Sequence, residues 1–168
     1  LLKRLERRLS VLEEGPRDLP VRQRDLRATI AWSYEGLDPR EQSVFRGCSV
    51  FRGGFTLEAA EAVCGDEDAA RVGHILSSLA DKSLLRAAPD PAGETRFSML
   101  ETIGEYAGER LAEGTEEPER ARRHARYFRD LAEAASQHLA SGARSVWLAR
   151  LDGEIANLRA ALAWAVAE

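Results

Sequence analysis

The apolar period of this chain changes once near its middle, and that change constrains the fold more than any other feature. From residue 38 to 79 apolar side chains recur every three or four residues; over 83–99 they fall in two short runs parted by Pro89-Asp90-Pro91-Ala92-Gly93. The first pattern marks helices and the second marks strands joined by a turn. Asp38-Pro39-Arg40-Glu41 opens the first helix: Asp38 can cap it, Pro39 suits the first helical position, and Glu41 can complete a capping box. Val44, Phe45, Cys48 and Phe51 form its apolar face, with Gly53-Gly54 as its stop. Thr56 caps a short helix carrying Leu57, Ala60 and Val63 that ends at Gly65, and Asp66 or Asp68 caps a third with Val72, Ile75, Leu76 and Leu79 inward. Ser83 to Ala87 and Glu94 to Met99 then predict two strands.

Three short helices and a hairpin are the winged-helix order, a variant of the helix-turn-helix. On its N-terminal side, Leu2, Leu5, Leu9 and Leu12 share a helical face that stops at Gly15-Pro16. After the Leu19-Pro20 turn, Leu26, Ile30, Tyr34 and Leu37 share another, with Trp32 off the stripe and packed elsewhere. On the C-terminal side a helix presents Ile103, Tyr106, Ala107 and Leu111, and Gly114 to Pro118 reads as a linker. Ala121, Ala125, Phe128, Ala132, Ala135 and Leu139 follow, then a Ser141-Gly142 turn, then Leu148, Leu151, Ile155, Leu158, Leu162 and Ala165. Two such helices cannot bury both faces alone, so they predict the start of a helical array that continues past Glu168. The expected fold class is mainly α: a winged-helix domain with a small β-hairpin wing at 38–113, a helical segment at 1–37, and a helical hairpin at 118–168.

Composition narrows the function. The 168 residues are 44% hydrophobic and 31% charged, the balance of a folded domain. No run approaches the roughly 20 apolar residues that cross a bilayer. Cys48 and Cys64 are the only cysteines, which suggests a reducing cytoplasm. Leu1 opens the chain without a Met or a leader, so a segment of a longer protein is expected. His74, His124 and His138 lack metal-ligand spacing, and neither Lys3 nor Lys82 follows the glycines of a phosphate-binding loop. No catalytic or metal residue is therefore assigned, and no cofactor is expected within this chain.

A winged helix invites a DNA reading, and charge tests it. Net charge is -4; residues 55–101 carry four basic side chains (Arg71, Lys82, Arg86 and Arg96) against nine acidic ones, whereas residues 1–30 carry eight basic against five acidic. Duplex binding rests first on phosphate neutralisation. This balance argues against direct contact and leaves DNA binding through Arg71, Lys82, Arg86 and Arg96 as the alternative function. A basic strip, Arg120, Arg122, Arg123, His124, Arg126 and Arg129, reads as a solvated helix face ahead of a docking site for an acidic protein surface.

Three stretches resemble the NB-ARC (STAND) family: Trp32-Ser33-Tyr34-Glu35-Gly36-Leu37, Ser49 to Ala60, and Phe97 to Ala107. Glu154 to Trp164 is similar to the start of tetratricopeptide-like (TPR) repeats, and the order of motifs resembles bacterial transcription regulators of AfsR and LuxR type. The resemblance implies that residues 1–37 close the helical domain of an upstream ATPase, which binds ATP or ADP. It also implies that the winged helix relays nucleotide state to helical sensor repeats in signal transduction. The partners it implies are the protein's own NB-ARC domain and the following repeats, with a further protein partner or self-association. Met99, Leu100 and Glu101 match the family's Met-His-Asp motif, which makes Leu100 and Glu101 the cofactor-facing positions. Leucine cannot supply the histidine's hydrogen bond to phosphate. Gly15 to Pro20 and Gly114 to Pro118 are the expected hinges.

Overall fold

The computed structural model describes residues 21–65, 69–90, 93–138 and 142–167. The Leu2–Leu12 stripe, the turns at Gly15-Pro16 and Leu19-Pro20, the caps Asp66 and Asp68, Pro91 and Ala92 of the wing tip, Leu139 and Ser141 lie outside them. The described chain is mostly helical with a small antiparallel sheet. Its elements are α1 (Val21–Glu35), α2 (Pro39–Gly47), β1 (Phe55–Thr56), α3 (Leu57–Cys64), α4 (Ala69–Asp81), β2 (Arg86–Pro89), β3 (Thr95–Ser98), α5 (Glu101–Ala112), α6 (Glu117–His138), α7 (Arg144–Gly153) and α8 (Ile155–Ala167).

Local signals set most of these boundaries. Asp38 accepts from the Arg40 and Glu41 backbone N–H groups while the Asp38 N–H donates to the Glu41 carboxylate, the reciprocal box that the sequence proposes. Thr56 caps α3 by accepting from the Ala59 N–H. Other boundaries differ from expectation. Helix α2 stops at Gly47 and tightens into a 3-10 turn, Cys48–Val50, before Gly53-Gly54. Gly47 has no room for a side chain, because a Cβ there would lie 2.7 Å from Cys64 Sγ. The first hairpin strand begins at Arg86 rather than Ser83: Leu84 and Leu85 fold back to donate to the Leu79 carbonyl, and both are buried.

The sheet order is β1-β3-β2, with Phe55 opposite Phe97 and Ala87 also opposite Phe97. Strand β1 is two residues long, too short for a periodicity signal, and is held by the burial of Phe55 against the Phe97 ring. Phe45, Phe55, Val63, Val72, Leu76 and Leu79 form the centre of the core, and Ile103, Tyr106, Ala107 and Leu111 of α5 close it as expected. Leu57 departs from expectation: it is exposed, while Ala59 and Cys64 join the expected Ala60 and Val63 on the inner face of α3. On α1, Ile30 is buried, but Trp32, expected to pack elsewhere, is 76% exposed.

The core does not end at the winged helix. An aromatic series runs from Phe97 to Phe55, then Phe51, then His124 and Phe128 of α6, with Phe51 and Phe55 stacked at 4.4 Å. Arg120 and His124 are therefore buried rather than on a solvated face, at 3% and 4% exposure. Arg120 donates to the Val63 carbonyl of α3 and to Ser43 Oγ. The connection between α5 and α6 is also tied down, since Glu116 accepts from Arg46 and Ser43 of α2. The stretch after Gly142 is two helices rather than one, with a turn at Glu154. Its buried positions are Glu154, Asn157 and Ala161; of the expected stripe Leu148, Ile155, Leu162 and Ala165 are exposed, while Leu151 and Leu158 are half-buried and Leu158 packs on the core.

Candidate nucleic-acid interface

Helix α4 buries Val72, Leu76 and Leu79 against α2 and α3, and its other side carries Ala70, Arg71, His74 and Ser77, all exposed. Arg71, His74 and Ser77 are successive at i, i+3 and i+6, so they share one face. The Ser77 hydroxyl is turned back to donate to the Gly73 carbonyl at 3.0 Å. Asp81 closes that surface with a negative charge, and Arg86 at the start of β2 adds an exposed positive one.

Lys82 and Arg96 each pair with a buried carboxylate, although the Lys82 side chain itself stays 42% exposed. Lys82 Nζ lies 2.5 Å from Glu41 Oε1, which also accepts from Ser78 Oγ. Burial works to raise the Glu41 pKa, but the bonds from Lys82, Ser78 and the Asp38 backbone outweigh it and hold the carboxyl below its ordinary value. Arg96, on β3, is bound by Glu154 and by the Gly153 carbonyl. Of the four side chains, the structure therefore places Arg71 and Arg86 outward on α4 and the wing and turns Lys82 and Arg96 to internal carboxylates.

Leu100 and Glu101 lie elsewhere. Leu100 is the N-cap of α5, 43% exposed and without a side-chain capping bond, and Glu101 stands in the first turn. Both line a cleft of about 520 Å³ between the 48–55 segment and α5, whose wall at Gly104 and Gly108 has no side chain.

Sequence reading missed the polar group that joins the wing to the last helices. Asn157 is fully buried; its Oδ1 accepts from the Arg52 N–H at 2.6 Å, and its Nδ2 donates to the Gly54 carbonyl and to Glu154 Oε2, both at 2.8 Å. His124 Nε2 lies 3.4 Å from the same Oδ1, and burial pushes the His124 pKa down to about 4. The available signal was an asparagine one turn before the buried Ala161, in a helix whose one other polar side chain is the exposed Arg159. Gly53 and Gly54, at φ 75° and 94°, shape the receiving loop, and a Cβ on Gly54 would lie 2.9 Å from the Phe97 carbonyl.

Among the described residues, no group of three or more His, Cys, Asp or Glu side chains is placed to hold a metal ion, and no helix is long and apolar enough to cross a membrane. Cys48 and Cys64 are buried, and burial together with the adjacent Cys64 pushes the Cys48 thiol well up.

The family described as "Winged helix-turn-helix domain" matches residues 37–112, the span from α2 through β1, α3, α4 and the wing to α5. The fold of these residues, helices with a small three-stranded antiparallel sheet, is that of a winged helix. The chain is also 42% identical over 156 residues, 92% of its length, to proteins of Mycobacterium tuberculosis and Mycobacterium bovis named "putative HTH-type transcriptional regulator". It spans only 17% of the length of those relatives. An uncharacterized Mycobacterium tuberculosis protein is 32% identical over 92 residues, 53% of this chain and 23% of that protein. No solved structure matches significantly. These likenesses favour the DNA reading that charge alone had ranked second, and they leave the NB-ARC resemblance as a finer question.

Proposed function

We propose that this chain is the winged-helix segment of a larger transcriptional regulator and that it offers the outer face of α4 to duplex DNA. The observation that carries this reading is the sidedness of α4: one side is sealed in the core, and the other holds Arg71, His74 and Ser77 in the open. Arg71 and Arg86 are the phosphate-binding cations. With about two such contacts, the expected slope of log K against log salt is near -2, at roughly -0.9 per phosphate. Binding is correspondingly weak and salt-sensitive, and sequence choice depends on the rest of the protein. Fluorescence anisotropy of a labelled random duplex at low salt tests it. Wild type binds, and Arg71→Ala lowers the slope by about one. Absence of binding at low salt, or a slope that Arg71→Ala leaves unchanged, removes the reading.

A second reading has its own support. The wing and the last helices share buried polar contacts through Glu154 and Asn157, so a displacement of one is felt by the other. That suits a relay in a STAND-type regulator, in which an upstream NB-ARC domain binds ATP or ADP and further helical repeats follow. In such a protein the cleft beside Leu100 and Glu101 would face the nucleotide domain. Hydrogen exchange on the full-length regulator with ADP or ATP checks this: protection over 99–108 changes between nucleotides if the relay operates and stays constant if it does not.

A further inference from the structure

Strand alternation places Arg96 and Phe97 on opposite faces of β3; Phe97 enters the core and Arg96 emerges on the outer face of the wing. The turn between α7 and α8 covers Arg96 there. Glu154, 3% exposed, holds its guanidinium, the Gly153 carbonyl takes a second bond, and Asn157 fixes the other Glu154 oxygen. Asn157 also grips the loop that feeds β1, through the Arg52 N–H and the Gly54 carbonyl. The Arg96 and Glu154 side chains are only 18% and 4% exposed, so this charged pair is a costly way to join two surfaces, since apolar side chains of similar size commonly hold as well. Stability alone does not explain the pair. What it does is cancel the cation of the central strand, β3, beside the exposed Arg86 of the edge strand β2.

We propose that Glu154 and Asn157 are positioning residues for the wing: they hold it against the α7–α8 turn and mask Arg96, so that displacement of α7 and α8 releases a further cation to DNA phosphate. The inference rests on the DNA reading above. It predicts that the wing binds duplex more strongly when the charge on residue 154 is removed than when it is present.

The test measures the salt dependence of random-duplex binding by the 168-residue chain and three variants. Glu154→Gln leaves Arg96 uncompensated and is expected to steepen the log K against log salt slope by up to about 0.9, one phosphate contact. Glu154→Met, which keeps the length without polarity, gives the same change and guards against misfolding of the first variant, with circular dichroism confirming the fold of each. Adding Arg96→Met to Glu154→Met returns the slope to the wild-type value. A merely structural role for Glu154 would lower affinity or stability without a steeper slope. Equal slopes in wild type and both single variants overturn the masking while leaving the DNA reading intact. Failure of all four proteins to bind at low salt overturns the DNA reading and the masking together.

Discussion

Replacing Phe128 with Ala tests whether α6 belongs to the same cooperative unit as the winged helix. Phe128 is fully buried, with the His124 ring at 4.6 Å, the Tyr127 ring at 5.0 Å and Phe51 edge-on at 6.3 Å. Its walls come from the helix itself, from the turn after α2 and from α8, so the site cannot collapse by moving one side chain. Phe→Ala at buried sites costs about 3–5 kcal/mol, and the rigid walls put this one near 4 kcal/mol. Against the 5–15 kcal/mol typical of a whole domain, that is a large fraction. With a urea m-value of about 2 kcal/mol/M, the midpoint falls by about 2 M. Urea titrations followed by circular dichroism and by the fluorescence of single-Trp variants retaining Trp32 on α1 or Trp164 on α8 read the effect. All probes shift together in this account. A loss below about 1 kcal/mol, or a Trp164 transition that moves while the Trp32 transition stays, refutes the continuous core.

Three further outcomes follow from particular contacts. His124 is held neutral by burial at a pKa of about 4 against an ordinary value of 6.5, so the unfolded state binds more protons between those values. Stability is full above about pH 6.5 and falls as pH drops toward 4, by at most about 3 kcal/mol; His124→Gln flattens that window in denaturation curves at stepped pH. Gly54→Ala forces a Cβ into the left-handed region and against the Phe97 carbonyl, and thermal melts should show at least about 1–3 kcal/mol lost. Asp38→Ala removes the oxygen that accepts both capping bonds of α2 and costs about 1 kcal/mol by urea titration.

Where one local rule governs, the sequence was legible. The Asp38 box, the Thr56 cap, the inner faces of α4 and α5 and the winged-helix order could be read directly from residue spacing. Strand β1 could not be read that way, because two residues carry no period and only the partner β3 makes them a strand. The last helices failed for a different reason. Alanines at 156, 160, 161, 163, 165 and 167 make nearly every face of α8 plausible, so leucines suggested a stripe that tertiary contact overrides. The buried face is chosen instead by Asn157, whose hydrogen-bonding groups meet the Arg52 N–H and the Gly54 carbonyl of the 52–54 loop and the Glu154 carboxylate. The cations show the same limit. A count of basic and acidic residues over 55–101 is correct as a sum, yet it cannot say that Lys82 and Arg96 pair with the buried Glu41 and Glu154 while Arg86 carries its charge on the exposed wing.

The most direct test of the account is amide chemical-shift mapping of the isotope-labelled chain during titration with a short random duplex at low salt. Shifts concentrated at Arg71, His74 and Ser77 of α4 and at Arg86 of the wing, with α6 to α8 unmoved, are the predicted result. No shifts at saturating duplex, or shifts confined to Arg122, Arg126 and Arg129 on α6, contradict it.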